Sequence, residues 1–178
     1  MTKEDEQYPA VLDKQPCPMC HTKNLKLTEI KKDIPYFGTC FIFSMDCANC
    51  DYTMSDIETE EEKDPVKYSF EINSEEDLKV RVVKSSQATV KVPRMIEITP
   101  GPMSSGYVTN IEGIINRIKS VLETQRDEED DKKARKKIKN RIKKLQRVIW
   151  GRDKLKIIIK DPSGNSAIIS DKAEKSGL

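Results

Sequence analysis

The 178-residue chain is 36% hydrophobic and 35% charged, and its 32 Lys and Arg nearly balance 30 Asp and Glu for a net charge of +2. That length suits one ordinary domain plus a small module, and no apolar run approaches the roughly 20 residues of a membrane-spanning helix. The charges are segregated along the chain, so their placement is more informative than their sum.

Residues 1–12 are mostly polar and are expected to form a disordered tail. They carry no apolar signal core behind a basic start, which points to a reducing, cytoplasmic setting. Residues 13–55 carry two cysteine pairs. "QPCPMCH" places Cys17 and Cys20 two residues apart, and "DCANCDY" repeats the spacing with Cys47 and Cys50 after the 26 residues 21–46. Each pair brings two sulfurs to one point through a tight turn, and two such turns supply the four thiolates of a structural zinc ion. An iron centre uses the same four ligands. A single redox pair would leave the second C-x-x-C without a purpose, and disulfides would need an oxidising compartment. One zinc ion per chain is therefore expected, in a four-cysteine finger over 13–55.

Between the pairs, "YFGTCFIFSM" alternates as a strand. Phe37, Phe41, Phe43 and Met45 share one face, and Cys40 and Ile42 the other. Cys40 is expected to be a buried, inert thiol. His21 starts too close to its knuckle to be a natural fifth ligand and is expected to be exposed or to sit just behind the ligands.

Ser55–Pro65, "SDIETEEEKDP", is acidic and ends in proline, so it reads as a solvated linker. "VKYSFEI", "DLKVRVV", "ATVKV" and "MIEI" then read as short strands of a β domain over 56–108. At "VTNIEGIINRIKSVLE" the period changes to 3.6. Thr109 and Glu112 suggest a capping box, and Ile111, Ile114, Ile115, Ile118, Val121 and Leu122 form an apolar stripe. Gly113 inside that stripe hints at close packing. A second helix is expected from Asp127 to Trp150. Its stripe is Ala134, Ile138, Ile142, Leu145, Val148 and Ile149, and Gly151 suits the left-handed stop. The two helices make a hairpin over 109–150, after which "KLKIIIK", the turn "DPSGN" and "SAIIS" complete the β domain over 151–170. Residues 171–178 read as a tail. The class is α+β.

The second helix holds ten Lys or Arg between Lys132 and Arg147. Acid before it and base along it agree with the helix dipole, and a pair such as Asp131 with Arg135 adds local support. A solvated face, a dock for an acidic protein and a nucleic-acid contact all fit this pattern. Signs of catalysis are scarce: one histidine leaves no Ser–His–Asp or Cys–His set, and no phosphate-binding glycine loop is present. No catalytic residue is assigned, and the chain is not expected to be an enzyme.

The order "CPMC", "DIPYF", "CANCDY", "EEDLKVRVVKSSQATVKVP", "EITPG", "NIEGIINRI" and "DPSGNS" resembles the Zpr-type zinc-finger family from about Gln15 to Ile169. The resemblance implies zinc on Cys17, Cys20, Cys47 and Cys50. It also implies a double-stranded β-helix, jelly-roll-like domain with the helical hairpin inserted. Eukaryotic members carry two such modules and act as chaperones for translation elongation factor 1-alpha, engaging that GTPase through finger and hairpin. A single-module, archaeal-like member would bind the corresponding GTPase, with no membrane partner. The alternative is a zinc-ribbon RNA- or ribosome-associated protein that uses the basic helix 132–147. Where the family usually has glycine after the last cysteine, this chain has Asp51, which must then take a left-handed turn.

Overall fold

The computed structural model of the chain describes residues 9–34, 38–59 and 63–178. The expected placement of Phe37, the tail residues 1–8 and the acidic residues 60–62 lie outside them. The fold is mixed α and β, mostly strands with a helical hairpin. No helix among the described residues is long and apolar enough to cross a membrane.

The first unit is a four-stranded antiparallel sheet in chain order: β1 (Ala10–Gln15), β2 (Leu25–Ile34), β3 (Gly38–Cys47) and β4 (Thr53–Thr59). Two expectations are corrected here. The tail expected through residue 12 gives way at Ala10 to β1, an exposed edge strand that pairs with β2 and so needs no apolar pattern of its own. The linker expected from Ser55 begins instead as part of β4, which pairs with β3 from Thr53 to Thr59. Its one apolar anchor is Ile57, 2% exposed, whereas its charged neighbours disguise it as solvated chain.

β3 alternates as expected. Cys40 is fully buried with Ile34, Ile57 and Val83, and Ile42 packs on the same cluster, while Phe41, Phe43 and Met45 are half-buried. Desolvation pushes the Cys40 thiol above its usual pKa, in keeping with an inert packing role.

The second unit begins with β5 (Val66–Ile72), a one-turn helix α1 (Glu75–Leu78), β6 (Arg81–Lys84), β7 (Thr89–Val92), β8 (Ile96–Ile98) and β9 (Tyr107–Asn110). Helices α2 (Ile111–Glu128) and α3 (Lys132–Ile149) follow, then β10 (Leu155–Asp161), β11 (Ala167–Ile169) and β12 (Glu174–Gly177). One sheet runs β12-β5-β10-β7-β8 and the other β11-β6-β9, all pairs antiparallel. Phe70, Val82, Val90, Ile157, Ile159 and Ile168 meet between the sheets in one core. The tail expected over 171–178 contains β12, which adds to the free edge of β5 through backbone pairing, all four of its residues being exposed.

α1 displaces the start of the strand expected at Asp77. Asp77 turns its carboxylate back on the N–H groups of Asn73 and Ser74, closing a capping box, and accepts from Lys172 at 2.7 Å. The expected capping of α2 by Thr109 is also displaced by one residue. Thr109 pairs with Val82 inside β9, so Asn110 becomes the cap and its side chain accepts from Gly113 N–H at 2.8 Å. A Cβ on Gly113 would run into the Thr109 hydroxyl, which explains the glycine inside the stripe.

α3 starts at Lys132, not Asp127, because Asp131 accepts from Lys133 and Ala134 N–H as its cap. The expected Asp131–Arg135 pair therefore does not form, and Arg135 donates to the Glu129 carbonyl instead. At the other end Gly151 takes φ +66°. Gly151 N–H reaches the Val148 carbonyl and Arg152 N–H the Arg147 carbonyl, a Schellman stop. Ile111, Ile114, Ile115, Ile118 and Leu122 of α2, with Ile138, Leu145 and Val148 of α3, are buried in the core of the β body. Val121, expected in the α2 stripe, lies at its margin and is exposed. The hairpin is thus a wall of the second unit.

Candidate metal centre

Two knuckles face each other at one end of the first sheet. In each, the first cysteine donates its N–H to a carbonyl five residues on: Cys17 to Thr22 and Cys47 to Tyr52, both at 2.9 Å. In each, the carbonyl of that cysteine accepts from the residue four on: from His21 at 2.9 Å and from Asp51 at 3.1 Å. Those two residues hold φ of +58° and +54°, the left-handed conformation that closes the turn. Asp51 so takes the turn expected of it. His21, exposed as expected, is its counterpart in the other knuckle, and its backbone rather than its imidazole serves the site.

The repeated turn leaves four sulfurs pointing at one spot. The Sγ atoms of Cys17, Cys20, Cys47 and Cys50 all lie within 4.8 Å of one another. Cys17 to Cys50 and Cys20 to Cys47 are each 3.7 Å apart, too far for a disulfide. Four sulfurs bound tetrahedrally at a zinc–sulfur distance of about 2.3 Å stand about 3.8 Å from each other, so the set fits the ion. Cys17, Cys47 and Leu25 are buried, with Leu27, Met45 and Tyr52 packed around them.

Their surroundings shift the ionisation of three of these thiols in different directions. The Thr22 hydroxyl, 3.1 Å from Cys20, and the Thr22 backbone lower the Cys20 thiol to about 5. Cys47 is lowered by the Asn49 backbone N–H. For Cys50 a backbone bond from Tyr52 works downward, but desolvation and its three thiol neighbours outweigh it and push the group up to about 12. Four thiolates this close repel one another, and a divalent cation relieves that repulsion. Four sulfur ligands also complete a tetrahedral shell, the arrangement of structural rather than catalytic zinc.

The left-handed positions after each knuckle were only half legible: the glycine-like place at Asp51 was visible, and its equivalence to His21 was not. The residues that seat the knuckles on the body went unread as well, because they lie in β4 and its contacts.

A family model for the ZPR1 zinc-finger domain matches residues 12–64, and one for the ZPR1 jelly-roll domain matches residues 76–177. A ZPR1-like protein of Methanocaldococcus jannaschii is 39% identical over 164 residues, which cover 89% of this chain and 81% of that protein. A ZPR1-like protein of Pyrococcus horikoshii is 38% identical over 167 residues, 91% of this chain and 75% of its own length. The zinc finger chaperone zpr1 of Schizosaccharomyces pombe is 28% identical over 173 residues, and the chain spans 37% of its length. Finger, jelly-roll body and four converging thiols thus coincide with the two matched models, and the chain belongs to the ZPR1 family of zinc-finger proteins.

Proposed function

We propose that this chain is a zinc-dependent, chaperone-like binding factor for a translation elongation factor 1-alpha-type GTPase. The observation that carries the reading is the pairing of two rigid elements on one small body. The knuckle end presents Met19, 57% exposed, and the hairpin on the other unit presents Val121 of α2 and Trp150 at its end, both exposed. Support comes also from the fission-yeast relative, whose name describes a zinc finger chaperone. The chain does no chemistry itself: a metal closed by four thiolates offers no position to a reacting water. Its five free cysteines suit a reducing, cytoplasmic setting.

The test uses the full zinc-loaded chain and the elongation factor of its own organism, mixed with GTP, with GDP and without nucleotide. Calorimetry or gel filtration should detect association in at least one condition, and chelation of zinc should weaken it strongly. No association in any of the three overturns the reading.

A further inference from the structure

The exposed face of α3 is a second, separate surface. At about 100° per residue, its basic side chains from Lys132 to Arg147, apart from Arg135 and Arg141, fall within an arc of about 160° along a helix about 27 Å long. Inside this arc lie two parallel rows, Lys132, Lys136 and Lys143 in one and Lys133, Lys137 and Lys144 in the other, all exposed. No apolar residue interrupts them. Among the described residues, none of the six has a carboxylate within ion-pair distance. Two of the neighbouring acids are already engaged: Asp131 caps the helix, and Asp127 pairs with Arg126 at 2.8 Å. Asp127 also feels the charge of Lys139.

Such a face is poorly suited to a protein partner. Protein interfaces centre on aromatic, Met or Arg anchors and are depleted of Lys, and this arc has no apolar anchor. It is equally poor for unpaired bases, which need aromatic side chains to stack on; Trp150 lies beyond the helix end with Arg152 over its ring. Base-edge readers are scarce too. Asn140 is one, and Arg147 is tied to Asp153 at 3.1 Å. What remains is point charge in two rows on a convex ridge.

We propose that this ridge binds double-stranded RNA through the phosphates flanking its major groove, without sequence preference. The narrow A-form major groove sets its two phosphate rows close together, so paired lysine rows reach both strands without entering the groove. The wider B-form groove separates its rows and rewards an inserted reading helix, which this one is not equipped to be.

The test measures binding of the full zinc-loaded chain to a 20-base-pair RNA duplex, the matching DNA duplex, one RNA strand and polyglutamate, across a salt series. The RNA duplex should bind tightest, with log affinity falling against log salt at a slope of about −3 to −5. A variant carrying Lys136→Gln, Lys137→Gln, Lys143→Gln and Lys144→Gln should lose at least tenfold at about 100 mM salt, with a slope shallower by about three. A control with Lys14→Gln, Lys23→Gln, Lys26→Gln and Lys32→Gln loses the same charge from the first unit and should bind within about threefold of the parent. Circular dichroism and zinc content check that both variants are folded. Equal or tighter binding of the DNA duplex or of polyglutamate would overturn the proposal, as would a helix variant no weaker than the control. Neither outcome touches the elongation-factor reading, since no GTPase is present.

Discussion

The carboxylate of Asp56 in β4 accepts the hydroxyl of Ser86, just after β6, at 2.9 Å, so a side chain of the finger sheet is fastened to a turn of the jelly-roll body. Beside it Ser55 donates its hydroxyl to the Gly106 carbonyl at 2.8 Å, and Gly106 N–H returns to the Ser55 carbonyl at 2.9 Å. Under these bonds Ile57 of the finger packs on Val83 of the body. Lys84, 6% exposed, lies behind them, its charge disfavoured by burial but supported by Asp161 and Asp56. The two units therefore meet through a bonded seam with a buried charge at its back.

Asp56→Ala should weaken that seam by about 2 kcal/mol, since it leaves Ser86 without its acceptor and Lys84 with one counter-charge fewer. Denaturant unfolding monitored at Trp150 and by zinc release should split into two transitions, the finger's first. Coincident, unshifted transitions would show that the apolar contacts alone hold the units together.

Gly106→Ala tests the same seam sterically. A Cβ there would stand 2.9 Å from the Ile57 nitrogen and 2.9 Å from an Asp56 carboxylate oxygen, one of them unyielding backbone. The expected loss is about 1–3 kcal/mol, as for other overpacked sites. A melting temperature equal to the parent's would mean that the turn after β8 shifts freely.

Removal of the metal should affect one end of the molecule. Cys47→Ser breaks the tetrahedron and should release the ion, as should acidification, because each ligand must stay deprotonated to bind. Among the described residues the knuckles have only Leu25, Leu27, Met45 and Tyr52 around the thiols, too few to hold two turns with left-handed residues at His21 and Asp51. The far end of the same sheet shares its cluster with Val83 and Ile169 of the body. Hydrogen exchange after chelation should therefore open Cys17–Tyr52 at the knuckle end and leave Ile34, Cys40 and Ile57 protected. Uniform exchange of the whole first unit would contradict this.

How far these features could be read from residues alone follows from how local their causes are. The knuckles were legible because ligand chemistry acts across two intervening residues, and the strand holding Cys40 because alternation is local too. β4 and β12 were not, because an edge strand is held by backbone pairing. Asp56 and Glu58 look like solvent-facing acids until β3 is beside them, and Glu174–Gly177 has no apolar residue at all. Thr109 and Asn110 are both good caps, and only the pairing of Thr109 with Val82 decides between them. The role of Asp77 depended on Lys172, far along the chain.

Asp77 gives a pH prediction with a defined sign. Lys172, followed by the Asn73 and Ser74 hydrogen bonds, outweighs desolvation and holds its carboxyl down at about 2, although its side chain is only 3% exposed. A carboxyl depressed below its unfolded value of about 4 stabilises the fold fully above that value, and the stabilisation fades as pH falls through about 2. Asp77→Asn should therefore cost about 2 kcal/mol at neutral pH and progressively less between about pH 4 and 2. Lys172→Met should cost less, because the lysine side chain is 65% exposed and its charge is screened. A constant difference between Asp77→Asn and the parent across that range would assign the loss to shape rather than charge.

The hairpin behaves differently from the metal end, and this decides how its function can be tested. Leu145 of α3 has no exposed surface and shares one core with Phe70, Ile157 and Ile159 of the sheets. On α2, Ile115 and Leu122 are equally enclosed, and Lys119 donates to Gln146 across the helices at 2.8 Å. Leu145→Ala should cost about 2–5 kcal/mol and lower the stability of the whole body in a single transition. Excision of 109–150 should leave the β sheets unfolded, since they would lose the wall that covers them. Loss of binding in a hairpin deletion would then report a missing fold, whereas exchange of exposed lysines on α3 leaves the core untouched and isolates the surface. If Leu145→Ala melts the helices while the sheets stay protected from hydrogen exchange, the hairpin is a separable appendage, and deletion becomes a fair test after all.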